Sequence, residues 1–149
     1  MSGRVNSLGG NSSNFAAELT FALSLADQAD AISLSRYRAL DLQITTKPDN
    51  TPVTDADRAV EQAIRNTISA TYPADTVVGE EFGGTKLTQD DPNRYWVIDP
   101  IDGTKNFLRG VPTWATLIAL VIGGQVVTSV VSSPALYRRW YATRGGGAY

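Results

Sequence analysis

The chain has 149 residues, enough for one ordinary domain with a real core, and its 13 Lys+Arg against 15 Asp+Glu leave a formal net charge of -2. That balance offers no basic field for nucleic acid or an anionic membrane surface. With no Cys and no His, disulfides, thiolate or imidazole metal sites, cysteine nucleophiles and a Ser-His-Asp triad are all excluded within the chain, leaving carboxylates, hydroxyls, lysines and oxygen-bound metal ions to do chemistry.

Residues 1–13 are rich in Ser, Asn and Gly, lack an export-type apolar core, and are expected to be a flexible lead-in. No apolar run is long enough to span a membrane, so a cytoplasmic location is expected. From Asn14 to about Leu40 there is no Gly or Pro, and Phe15, Leu19, Ala22, Leu23, Ala26, Ala29 and Ile32 recur at helical steps. The spacing predicts an amphipathic helix whose polar residues Glu18, Asp27, Asp30 and Arg36 are solvated.

Leu42 to Thr46 reads as a short strand and Lys47 to Pro52, with two prolines around Asp-Asn, as a loop. Thr54 and Asp57 have capping-box spacing, and Val60, Ile64 and Ile68 form one stripe, which predicts a second helix from Thr54. Asp55 and Asp57 lie in its first turn, where a carboxylate gains about 0.3–1 kcal/mol from the helix dipole. For Asp55 that role suffices; Asp57 is assigned to a functional site because of the acids that follow.

Thr76 to Val78 is a short β-branched strand running into Gly79-Glu80-Glu81-Phe82-Gly83-Gly84. If the strand alternates its side chains, only one of the two glutamates points directly into a given site. Glu80 is taken as the direct ligand and Glu81 as its support. Lys86 to Asn93 is polar and reads as a surface connection.

Trp96 to Phe107, WVIDPIDGTKNF, is the stretch with chemistry in it. Tyr95 to Ile98 reads as a buried strand, and Pro100 is expected to end its pairing. Within a few residues the chain then presents Asp99, the Ile101 carbonyl, Asp102, the amides of Gly103 and Thr104, and the Thr104 hydroxyl. Hard oxygen ligands of this kind suit Mg2+, and amides opening a helical turn suit a phosphate. An Asp-Gly pair after a strand is also often only a turn. Haloacid-dehalogenase-type phosphatases place Asp-x-Asp-Gly-Thr after an apolar strand with the first aspartate as nucleophile; the two-residue separation of Asp99 and Asp102 argues against that chemistry.

Ala115 to Ile122, the Gly123-Gly124 hairpin signal, Gln125 to Ser132 and Tyr137 to Ala142 predict an antiparallel meander. Trp114 and Trp140 are read as core or sheet-edge packing, Arg138 and Arg139 as solvated, and Gly145 to Tyr149 as an ending with no further element. The fold class is therefore α+β, with two N-terminal helices packed on a mostly antiparallel sheet. Asp57, Glu80, Glu81, Asp99 and Asp102 all fall at ends of elements. Acids converging there would repel unless a cation neutralised them, so a magnesium site is the economical reading, with water activated for in-line attack on a phosphate monoester and Glu80 with Thr104 orienting that water.

These motifs resemble the inositol monophosphatase-like family of magnesium-dependent, typically lithium-sensitive phosphatases. The pattern stands here as Val53-Thr54-Asp55-Ala56-Asp57, Gly79-Glu80-Glu81 and Trp96 to Phe107. Lys47 to Thr54 and Lys105 to Pro112 are closest to the histidinol-phosphate phosphatase branch, which serves histidine biosynthesis. The resemblance implies that Glu80, Asp99 and the Ile101 carbonyl bind a first Mg2+, that Asp99 and Asp102 bind a second, and that Asp57 supports a third through water. Lys47 and Glu81 stand behind the ligands, and Ile101 to Thr104, with Asp102 and Gly103, meets the substrate phosphate. It also implies a small phosphorylated metabolite as partner, a homodimer for the full-length parent, and the N-terminal half of an αβαβα layered sugar-phosphatase fold. Residues 14–149 are then the N-terminal metal-binding domain, without the C-terminal domain whose Trp-Asp-x-Ala motif adds an aspartate to the second ion.

Overall fold

A computed structural model describes residues 14–84 and 94–149; the readings of residues 1–13 and of the Lys86–Asn93 connection lie outside the described residues. Helix α1 (Ala16–Arg36) and helix α2 (Asp55–Thr71) pack on one face of a six-stranded sheet. The sheet order is β3 (Thr76–Gly79), β4 (Arg94–Asp102), β5 (Ala115–Ile122), β6 (Gln125–Ser133), β7 (Arg138–Thr143) and β8 (Gly147–Ala148). Among the described residues only the β3–β4 pair is parallel; the other pairs of the sheet are antiparallel. A separate hairpin, β1 (Ile44–Thr46) with β2 (Pro52–Thr54), leads into α2, and a short helix, α3 (Thr104–Leu108), follows β4. Among the described residues no helix is long and apolar enough to cross a membrane.

The predicted elements are present, and their differences from expectation have physical causes. Helix α1 stops at Arg36 rather than near Leu40, because Tyr37 is extended and Arg38 has φ 62°. Tyr37 turns inward instead, where its hydroxyl donates to the Gly110 carbonyl at 2.7 Å. The buried face of α1 is Ala22, Leu25, Ala26, Ala29 and Ser33, so small side chains let the helix lie close to its neighbours. The residues expected to be solvated are instead ionic ties. Arg139 donates to Asp27 at 2.8 Å and to Asp30 at 2.7 Å, joining β7 to α1. Arg36 reaches Asp41 and Asp55, each at 2.9 Å, and Arg94 pairs with Asp75 at 2.9 Å and Glu18 at 3.8 Å. Apart from Arg36–Asp41, the partners are distant in sequence, which is why a periodicity reading of one helix left these residues in water.

Helix α2 opens on the expected capping box: the Asp57 amide donates to Thr54 Oγ1 at 3.2 Å and the Asp57 carboxylate accepts from the Thr54 amide at 2.9 Å. Its stripe of Val60, Ile64 and Ile68 is fully buried and meets Ala22, Leu25, Ala26 and Ala29 of α1 with Trp96, Ile98, Ile118, Leu120 and Val130 of the sheet. A smaller core of Ala56, Ile101, Phe107 and Trp114, with Tyr37 and Leu42 against it, sits beneath the end of β4. Trp114 thus packs as expected, whereas Trp140 is half exposed. Gly123 and Gly124 take φ 58° and 73°, the left-handed pair that a two-residue hairpin between β5 and β6 requires. The segment after β7 does not simply end: Gly147–Ala148 adds a sixth strand, paired with Ala142 and Thr143.

Pro100 does not end the pairing of β4. Asp99 lies opposite Leu117 and Asp102 opposite Ala115, so three steps on β4 face two on β5, and one extra residue is accommodated as a bulge. Proline suits it, having no N–H to leave unpaired, and its carbonyl accepts from Thr116 Oγ1 at 2.9 Å. We expect Ile64→Ala, at the centre of the main core, to cost about 2–5 kcal/mol, and Val126→Ala, at an exposed position, to change stability by less than about 0.5 kcal/mol. Urea denaturation midpoints check this; equal losses would contradict the core described here.

Candidate metal and phosphate site

Three chain segments meet at the bulged end of β4: the start of α2, the turn after β3, and β4 with the loop into α3. Asp57 lies in the first turn of α2 with 1% exposure. Its Oδ2 accepts from the Thr54 amide and from Thr54 Oγ1 at 2.6 Å, while Oδ1 accepts from Thr104 Oγ1 at 3.0 Å. A local capping box is thereby extended across the fold to the loop after β4. Burial pushes the Asp57 carboxyl above the ordinary aspartate range, against the hydrogen bonds from Thr54 and Thr104.

Ile101 is 3% exposed, its side chain in the smaller core. Its carbonyl lies 3.1 Å from Thr104 Oγ1, which therefore shares its single hydrogen between that oxygen and Asp57. Gly103 takes φ 89° and caps α3, and a Cβ there would come within 3.1 Å of the Thr113 carbonyl. Only glycine turns the chain this sharply against that backbone. Beyond it, Asn106 Nδ2 donates to the Thr113 carbonyl at 2.9 Å, bracing the loop.

Glu80 and Glu81 follow β3, which ends at Gly79. Strand alternation therefore does not govern them, and a single cation reaches both: Lys47 Nζ is 3.7 Å from Glu80 Oε1 and 3.2 Å from Glu81 Oε1. They differ in exposure instead, the Glu80 side chain being 52% exposed and that of Glu81 6%. Burial pushes the Glu81 carboxyl up against the pull of Lys47. Burial works against the Lys47 charge, but the hydrogen bond and charge of Glu81, aided by Glu80, hold its ammonium above the ordinary lysine value.

Asp99 is the most perturbed group. Burial, then the charges of Glu80 and Asp102, push its carboxyl up to about 7. Lys47, Glu80, Asp99, Ile101, Asp102 and Thr104 line one cavity of about 320 Å3, with Gly103 and Asn106 at its edge. A neighbouring apolar groove of about 410 Å3, on the sheet face away from α1 and α2, shares Glu80 and Asp99 with it. Among the described residues no three acidic side chains close on a common point as the ligands of an ion would; the oxygen donors that face the cavity are these carboxylates together with the Ile101 carbonyl.

The residues singled out in the sequence thus gather, with Asp57 behind Thr104 and Glu81 behind Glu80. Asp55 does not join them; it pairs with Arg36 and accepts from the Gln43 amide at 3.1 Å. Sequence reasoning passed over Glu61, whose carboxylate is buried beneath the Glu80–Glu81 turn and accepts from the Glu81 and Phe82 amides. The signal was present: an acid at position 61 falls inside the apolar stripe of Val60, Ile64 and Ile68, where a charge must have partners.

The comparisons with known proteins bear on a site of this form. Residues 16–149 match the model of the inositol monophosphatase family. The chain is 58% identical over 132 residues to the histidinol-phosphatase of Mycobacterium tuberculosis, covering 89% of this chain and 50% of that protein. It is 54% identical over 136 residues to the histidinol-phosphatase of Streptomyces coelicolor, with the same coverage. Among solved structures, the extragenic suppressor protein SuhB of Bartonella henselae superposes with a TM-score of 0.79 at 31% identity, over 89% of this chain and 51% of that one. The chain spans about half the length of the curated relatives it matches. By its fold, by its motifs and by a family match that runs from α1 to the last residue, the chain belongs to the inositol monophosphatase family.

Proposed function

We propose that residues 14–149 form the N-terminal metal-binding domain of a Mg2+-dependent phosphate monoester hydrolase whose substrate is histidinol phosphate. The observation that carries this reading is the single cavity shared by Glu80, Asp99, Asp102, the Ile101 carbonyl and Thr104, with Asp57 hydrogen-bonded behind Thr104. The choice of substrate is supported by the two histidinol-phosphatase relatives. The same reading takes the intact enzyme as a lithium-sensitive cytoplasmic homodimer of histidine biosynthesis, acting on a small phosphorylated metabolite and not on nucleic acid or membrane.

The donor set fits a hard divalent cation. Every donor is oxygen, and Asp99 is pushed up to about 7 by burial aided by the charges of Glu80 and Asp102, the condition that a cation relieves. Glu80, Asp99 and the Ile101 carbonyl would hold one Mg2+, Asp99 and Asp102 a second, and Asp57 a third through water. Bound ions would lower the pKa of a water and offset the charge on phosphate oxygens.

The chain's own groups supply the rest. The Thr104 hydroxyl donates to Asp57, which leaves its lone pairs to accept a hydrogen from the attacking water, with Glu80 as a second acceptor. Asp57 is the terminal proton acceptor, and burial already favours a proton there. The amides of Gly103 and Thr104, at the opening of α3, are first-turn donors without intrahelical partners and would meet phosphate oxygens. In the reaction the water oxygen forms a bond to phosphorus, the ester P–O bond breaks, and the departing alkoxide takes a proton from a solvent water to become the alcohol, the proton held at Asp57 returning to solvent.

A second reading is favoured by one observation: the chain spans half the length of its relatives. On that reading the segment by itself binds Mg2+ without turning over substrate. Phosphate release by this chain, and by an intact enzyme containing it, separates the two. The enzyme is expected to cleave histidinol phosphate in preference to inositol 1-phosphate, with Thr104→Ala lowering kcat by about 10²–10⁴-fold and Asp99→Asn or Asp102→Asn abolishing the response to Mg2+. Cleavage of inositol 1-phosphate alone would reject the substrate, and Mg2+ binding without turnover in any form would favour the second reading.

A pH dependence follows as well. Asp99 binds its proton more tightly in the folded chain, about 7, than in the unfolded one, about 3.9. Unfolding therefore releases a proton, and this group's contribution to stability falls as pH rises from about 4 to about 7. In chelator, Asp99→Asn should gain Tm relative to the natural chain across that window, and saturating Mg2+ should remove the gain. A constant Tm difference between the two would contradict the crowding.

A further inference from the structure

Glu61 lies mid-helix in α2, its side chain fully buried. A charge so placed is destabilising unless several donors satisfy it, and three do. The Glu81 amide donates to Oε1 at 2.7 Å, the Phe82 amide to Oε2 at 2.8 Å, and Arg65 Nε to Oε2 at 2.9 Å. Arg65, one turn further along α2, donates in turn through Nη1 to the Val77 carbonyl at 3.3 Å and through Nη2 to the Gly83 carbonyl. One helix face therefore grips the turn after β3 by both polarities, N–H groups by the carboxylate and C=O groups by the guanidinium.

Gly79 makes the approach possible, since a Cβ there would overlap the Glu61 carboxyl group. The Gly79 amide closes the turn on the Gly83 carbonyl at 3.0 Å, and the Glu80 amide donates to the Ile98 carbonyl of β4 at 3.2 Å. Glu80 is thus held between an anchored residue on either side, close enough to Asp99 to raise its affinity for a proton. Apolar burial contributes little to this, because Phe82, the turn's large apolar side chain, is half exposed.

We propose that Glu61 is a positioning residue: through the Glu81 and Phe82 amides it fixes the turn that presents Glu80 to Asp99, and so sets the site's affinity for a divalent cation. The ligand role of Glu80 rests on the function proposed above; the anchoring of the turn does not. Glutamine at 61 keeps the volume but replaces one acceptor oxygen by a donor, so it cannot take both amides and Arg65.

The test uses the 149-residue chain, natural and with Glu61→Gln, Glu80→Gln or, as a control on the exposed side of α2, Gln62→Ala. Amide hydrogen exchange and Mn2+ binding are measured on each. In folded Glu61→Gln the Glu81 and Phe82 amides should exchange about tenfold faster or more, with those of β5 unchanged, and Mn2+ affinity should fall about 10–100-fold. Gln62→Ala should alter neither. Unchanged exchange at Glu81 and Phe82 overturns the anchoring. Faster exchange with unchanged Mn2+ affinity, while Glu80→Gln weakens binding, overturns the positioning role. Equal Mn2+ affinity in Glu80→Gln and the natural chain refutes Glu80 as a ligand, a failure visible in that variant alone, and takes the positioning role with it. If Glu61→Gln does not fold, Gly79→Ala makes the same test by displacing the Glu61 carboxylate with its sequence intact.

Discussion

Like charges held close together in a half-dry place are the condition that the rest of this structure serves. Around the end of β4, Glu80, Asp99 and Asp102 stand near enough that one of them keeps its proton to about pH 7. Left to themselves, acids on flexible loops would swing apart into water. Here they stay together because each is attached to backbone that something else immobilises: a bulge at Pro100, a left-handed glycine at 103, a capping box at Thr54 and a buried carboxylate at Glu61.

Of the immobilising parts, Glu61 is paired with Arg65, while the Asp57 carboxylate of the capping box adds to the negative charge that Asp99 feels. The smaller core of Ala56, Ile101, Phe107 and Trp114 lies directly under the loop. Ile101 serves it twice, with a buried side chain and a carbonyl near Thr104. Tyr37 and Arg38, at the break after α1, both donate to the Gly110 carbonyl and tie the far end of α3 to the helical layer. Strain in a site of this kind is stored as electrostatic repulsion rather than as distorted backbone, and it is released by a proton or a cation.

Peripheral ion pairs do a different job. Arg139 with Asp27 and Asp30, and Arg94 with Asp75 and Glu18, link the helical layer to strands that are distant in sequence. Partly exposed pairs of this kind contribute modestly to stability, and here they tie α1 to β4 and β7. Among the described residues the opposite sheet face has no comparable layer, and the apolar groove that reaches Glu80 and Asp99 lies there.

The order of elements up to β7, the buried stripe of α2, the capping box, the Gly123-Gly124 hairpin and the oxygen-rich stretch WVIDPIDGTKNF were all legible from the chain alone. Each depends on neighbours within a few residues, through helical or strand periodicity, turn geometry or local capping. What tertiary structure alone decided depends on partners far apart in sequence. Asp57 accepts from Thr104, 47 positions on; Lys47 reaches Glu80 and Glu81 together; Arg139 finds α1; and Pro100 sits in a bulge because β5 continues beside it. Glu61 marks the boundary between the two. Its place in an apolar stripe was visible as a local anomaly, but the amides that satisfy its charge come from another strand's turn, and only the folded chain brings them within hydrogen-bonding distance.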